Sequence, residues 1–157
     1  MRRAFFAKAA AALAAVGLGS RAAAQGSPQP GTAAQGQSRR QVRVVYQLSE
    51  GIDQAVRAMG NLRNHLAGAP GTKIVVVALG YGVDFLVEGA RDSRGNTFDA
   101  PVGALASMGV EFRVCRNTLT ARRIAEDKLL LETKIVQAGV VEIARLQFDE
   151  GYAYIKP

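Results

Sequence analysis

Residues 73–79, Lys-Ile-Val-Val-Val-Ala-Leu, constrain the fold more than any other stretch of the chain. After Lys73 the run is wholly apolar and rich in β-branched side chains. A strand with one face in water alternates apolar and polar residues, whereas a strand without alternation is covered on both faces. The run therefore predicts a central parallel strand with helices on either side, in a three-layer α/β/α domain.

The flanking pattern agrees. Residues 42–48 read as a first strand, and 49–51 as a turn. Ile52, Val56, Met59, Leu62 and Leu66 recur at helical spacing, which predicts an amphipathic helix over 52–66. Gly68, Pro70 and Gly71 stop it. After the central strand come Gly80-Tyr81-Gly82, a short helix near 83–88, a polar loop over 91–98 and a helix at about 99–108 ended by Gly109. Residues 111–115 predict a third strand, and Asn117 or Thr118 is expected to cap a short helical turn running through Ile124. A short strand at 134–136, a helix over 140–148 and a last strand at 152–155 complete the chain. Strands alternating with helices imply right-handed crossovers and a mostly parallel sheet of about five strands.

The segment before this domain has a different texture. Residues 1–24 begin with Arg2, Arg3 and Lys8, continue through an apolar run at 9–18 and end in Ala22-Ala23-Ala24 before Gln25. A charged start, a short apolar centre and small residues at a cleavage point mark a secretory signal peptide, too short for a membrane anchor. Arg2-Arg3, with Phe5 and Lys8 behind them, resembles a twin-arginine leader; an ordinary Sec leader is the alternative. The expected location of the mature protein is the periplasm. Residues 25–41 hold glycine, proline and serine with no large apolar residue, a composition that reads as a flexible linker. The domain then spans 42–157. No mature segment approaches the run of about 20 apolar residues that spans a bilayer, so no stable membrane insertion is expected.

The formal net charge of +7 is partly a property of the leader. Without Arg2, Arg3, Lys8 and Arg21, 16 basic residues face 13 acidic ones, a balance of +3. Tryptophan is absent, and the basic residues are scattered rather than gathered beside aromatics, which argues against nucleic acid as a partner. A single cysteine, Cys115, rules out a disulfide within the chain and a Cys₄ or Cys₂His₂ zinc site. No metal or other resident cofactor is expected.

In a parallel α/β sheet, ligands gather beyond the carboxyl ends of the strands. Two features fall there. Gly80-Tyr81-Gly82 follows the second strand, but the third glycine of a dinucleotide fingerprint is replaced by Phe85. A tight strand-to-helix turn explains the pair more simply, and a small anion held by the Gly80 and Gly82 amides stays open. Cys115 closes the third strand. A thiol is a nucleophile as thiolate, and nearby cations or helix amides favour that form. Arg113, on the same face of the strand, and Arg116, the next residue, are expected to supply the charge, with Asn117 in the cap that follows. A buried cysteine acting as a small apolar residue is the alternative. Without a second cysteine, a reactive Cys115 would carry a group such as a persulfide rather than exchange disulfides. His65, at the end of the first helix, is expected at the opposite edge of the sheet, as a surface or capping residue.

Four segments taken in order resemble one family. They are residues 44–50 (Val-Val-Tyr-Gln-Leu-Ser-Glu), 71–77 (Gly-Thr-Lys-Ile-Val-Val-Val), 109–119 (Gly-Val-Glu-Phe-Arg-Val-Cys-Arg-Asn-Thr-Leu) and 150–157 (Glu-Gly-Tyr-Ala-Tyr-Ile-Lys-Pro). Together they resemble the DsrE/DsrF-like family, across essentially the whole domain. The resemblance implies a three-layer α/β/α domain assembled as a homo-oligomer, a trimer or hexamer. In sulfur-relay members, including the TusD-like proteins, a cysteine after the third strand accepts and passes on sulfane sulfur as a persulfide. Cys115 stands at the matching place, with a sulfur donor or acceptor protein as the implied partner. Where those members carry a small, alanine-rich stretch after the cysteine, this chain has Arg116-Asn117-Thr118. On this reading Arg113, Arg116 and Asn117 surround the nucleophile, and Gly80, Tyr81 and Gly82 line its pocket. The alternative function is a non-catalytic oligomeric module that binds a small ligand or protein and keeps Cys115 as a structural residue.

Overall fold

A computed structural model describes residues 41–157. The expected leader, and the expected linker up to residue 40, lie outside the described residues. Five strands form one sheet: β1 (Arg43–Leu48), β2 (Lys73–Ala78), β3 (Glu111–Cys115), β4 (Thr133–Val136) and β5 (Ala153–Ile155). Their spatial order is β4-β3-β2-β1-β5, and every neighbouring pair is parallel. The unalternating run is therefore the middle strand, and Ile74 through Ala78 are all buried.

Side-chain alternation along the strands divides the core in two. On one face Val44, Tyr46, Leu48, Ile74, Val76, Phe112 and Val114 pack against α1 (Ile52–Gly68) and α2 (Asp99–Ser107). Leu119 of α3 (Arg116–Arg122) joins the same cluster. On the other face Val45, Val75 and Val77 pack against Ile143 and Leu146 of α4 (Gly139–Phe148) and against Tyr152. The chain thus leaves β3 toward one face and β4 toward the other. The carboxyl ends of β3 and β4 are therefore the topological switch point of the sheet, the place where such sheets bind ligands.

Several local details differ from the sequence reading. The short helix expected near 83–88 is a 3₁₀ segment, Gly80–Leu86, that starts at the glycine pair. Asn117 and Thr118 do not cap α3. The strand runs straight into the helix, Cys115 takes the capping position with extended backbone (φ −72, ψ 113), and both residues fall inside the first turn.

Gln54 is the buried polar residue that fixes the β1–α1 corner. Its side-chain oxygen accepts from the Ser49 and Glu50 amides at 2.7 and 2.9 Å, and its nitrogen donates to the Pro157 carbonyl at 3.3 Å. The next corner is built on two glycines, the second of them irreplaceable. Gly80 sits at φ +57, and a Cβ on Gly82 would stand 2.1 Å from the Leu48 carbonyl oxygen. Gly82→Ala should therefore destabilise the fold by about 3 kcal/mol or more. Gly68→Ala, with nothing within 4 Å of the new methyl group, should change stability little. Denaturant titration of the two variants measures both, and equal stabilities would contradict the close approach.

Candidate functional site

Cys115 ends β3 opposite Val136 of β4, at this switch point, and only 5% of its surface is exposed. Its side chain shares a face with Arg113, toward α4. The start of α4 closes over it: a Cβ on Gly139 would lie 3.2 Å from the Cys115 Cβ. Burial pushes the thiol up. Neutral donors around it, the Gly139 backbone N–H first and then the Thr118 hydroxyl and the Thr118 and Asn117 backbone N–H groups, favour the thiolate and outweigh burial. The thiol is left below its ordinary value.

Thr118 does two jobs. Its oxygen accepts the Gly80 amide at 3.0 Å, which leaves its own proton free for the sulfur. Arg122, one turn further along α3, donates to the Gly80 carbonyl at 2.9 Å and to Asp84 at 2.5 Å. Its guanidinium also lies 4.8 Å from the centre of the Tyr81 ring. The Gly80 peptide is thus gripped at both ends by α3. Asn117 is tied to the segment leading into α4: its amide donates to the Gln137 carbonyl, and its side chain accepts from the Gln137 amide at 3.1 Å.

The expected roles of the two arginines need correction. Arg113 does face the same side as Cys115, but its guanidinium is held between Glu111, at 2.8 Å, and Glu142 of α4. Arg116 turns outward to pair with Glu126. Each cation is engaged by a carboxylate, Arg113 by Glu142 from 29 residues away and Arg116 by Glu126 from 10, so the sulfur relies on neutral donors. The glycine pair needs the same correction. The Gly80 amide is bound to Thr118 and the Gly82 amide to the Leu79 carbonyl, so neither is free to hold an anion. Tyr81 is two-thirds exposed and stands over Arg122. His65 is remote, hydrogen-bonded through Nδ1 to the buried Tyr46 hydroxyl at 2.9 Å.

Gly139, Thr118 as a donor, Arg122 and Gln137 were not singled out as site residues by sequence reasoning. A glycine just beyond a strand and at the head of a helix was the one available signal. No group of three or more potential metal ligands occurs among the described residues. A cavity of about 540 Å³ lies against α1 and the loop before α2, lined by Val56, Met59, Arg63 and Phe98 among others, and Cys115 is not part of it.

With the geometry in place, comparison with known proteins assigns the family. The DsrE/DsrF-like family matches residues 46–157. The chain belongs to the DsrE/DsrF-like family. Among solved structures, it is similar to MTH1491, a protein of unknown function from Methanobacterium thermoautotrophicum. The two are 37% identical with a TM-score of 0.65, over 74% of this chain and 99% of that one. The ychN protein from E. coli shares the fold at 14% identity, with a TM-score of 0.60 over the same shares of the two chains. A search of curated proteins returns no match.

The charged frame beside the site has its own pH dependence. Burial raises the Glu111 carboxyl, but hydrogen bonding and charge from Arg113 and Lys134 leave it below the ordinary glutamate value. Glu142 is lowered by Arg145 and, against its burial, by Arg113. Carboxyls depressed in the folded state contribute stability that is complete above their unfolded value and is lost as pH falls through the folded one. Stability should therefore drop on acidification below about pH 4, and Glu142→Gln should flatten that slope. Denaturant melts across pH measure it; an unchanged slope would contradict the pairing.

Proposed function

We propose that this protein is an exported sulfur carrier in which Cys115 accepts sulfane sulfur as a persulfide and passes it on. The carrying observation is a single buried thiol at the carboxyl end of β3 with the first residue of α4 packed against it, among neutral donors that favour its charged form. In the loading step the Cys115 thiolate attacks the sulfane sulfur of a polysulfide or of thiosulfate. A new S–S bond forms at Cys115, the donor's own S–S bond breaks, and its electron pair leaves with the shortened polysulfide or with sulfite. In the unloading step an acceptor thiolate attacks the outer sulfur and Cys115 departs as thiolate. Neither step needs an added oxidant. With 5% of the residue exposed, small inorganic sulfur species suit the loading step better than a bulky donor protein.

Export to the periplasm rests on the order of charged, apolar and small residues over 1–24, and cleavage near Ala24-Gln25 belongs to the same proposal. Its check is periplasmic fractionation with intact mass of the recovered chain; an uncleaved cytoplasmic protein would refute it. A homo-oligomer, trimer or hexamer, is also proposed. Val140, Val141 and Phe148 on the outer side of α4, and Leu131, are well exposed apolar residues that assembly would cover. The same surface supports the second reading, an assembly or binding module with a structural Cys115.

Intact mass after exposure to polysulfide and, separately, to thiosulfate tests the carrier. The expected result is a gain of one or more sulfur masses, removable by a reductant and absent from Cys115→Ser. A thiol left unmodified under both conditions would refute it in favour of the binding module.

A further inference from the structure

Space, not conformation, favours glycine at position 139. Its φ is not in the left-handed region. Yet a Cβ there would stand 3.2 Å from the Cβ atoms of both Cys115 and Leu79, with the Val77 Cγ1 at 3.4 Å. Two of those neighbours are fixed directly to strand backbone, in β3 and just beyond β2, and cannot swing aside. Any other residue would press the start of α4 a few tenths of an ångström off the sheet. Gly139 is also the first residue of α4, so its amide has no carbonyl within the helix to bond to. A helix of ten residues thus begins directly on a buried sulfur.

We propose that Gly139 sets the reactivity of Cys115: by lacking a side chain it brings the first amide of α4 onto the sulfur, where it stabilises the thiolate. The proposal deepens the sulfur-carrier reading and rests on it for its biological use. In both half-reactions the charge sits on this sulfur, before loading and again when the outer sulfur is handed on. The hydrogen-bond contribution from Gly139 is the foremost of those that lower the thiol. The charged groups around it are already paired: Arg113 with Glu111 and Glu142, Lys134 with Glu111, and Arg116 with Glu126. A neutral donor is what remains to tune the sulfur.

Two measurements on the purified protein test this. In the wild type, the Gly139 amide proton followed by NMR should shift with the midpoint of the Cys115 titration, and should stay still over that range in Cys115→Ser. In Gly139→Ala, alkylation by iodoacetamide at neutral pH should slow about tenfold, the effect of one unit on the thiolate fraction. The limiting rate at high pH should be retained, which a damaged or occluded site would not allow. Val140→Ala, the next residue on the same helix, should alkylate as wild type does. A Gly139 amide indifferent to the thiol titration, or a folded Gly139→Ala with the wild-type pH profile, overturns the proposal. If Gly139→Ala does not fold, the wild-type titration alone decides. Sulfur loading is read separately by mass. Its absence alongside intact amide–thiol coupling refutes the carrier, while loading without the coupling refutes only the role of Gly139.

Discussion

The burial of β2 on both faces governs the rest of the structure. Five consecutive residues, Ile74 to Ala78, have no contact with water, and each face needs its own cover. α1 and α2 supply one layer and α4 the other. Burying a single Val or Ile side chain is worth about 1.5–3 kcal/mol, so neither layer can be dispensed with. Because α4 crosses to the second face only after β4, the chain reverses its direction of exit between β3 and β4. The switch point at Cys115 is a geometric consequence of covering the middle strand twice.

The switch point owes its chemistry to what it leaves unpaired. The cations that reach it are engaged by Glu111, Glu142 and Glu126, and the glycine-corner amides are engaged by Thr118 and Leu79. What remains for the sulfur is the Thr118 hydroxyl and the backbone amides of Thr118 and Gly139, at the starts of α3 and α4. Neutral donors lower a thiol without placing a full positive charge beside it. The pocket therefore does not depend on a counter-ion that screening or an arriving anion would displace.

The layers, the parallel sheet and the end of β3 at Cys115 were legible because they follow from periodicity, which is a local property. The arginine partners were not. Arg113 is two residues from Cys115, so alternation places it on the right face, but Glu142 lies 29 residues away on α4 and only the fold brings it in. Asn117 and Thr118 have the right composition for caps, but the strand enters the helix without the intervening loop that a cap would close. Gly139 carried little signal, since what matters there is a side chain that is absent and a neighbour, Cys115, that is 24 positions earlier.

The claim that unites fold and chemistry is that Cys115 is an activated thiol, and its thiolate absorbance across pH measures this most directly. A midpoint below that of a free cysteine, raised in Thr118→Val and restored in Thr118→Ser, is the predicted result. A midpoint above it, where burial alone would put the sulfur, would contradict the claim and leave Cys115 a core residue.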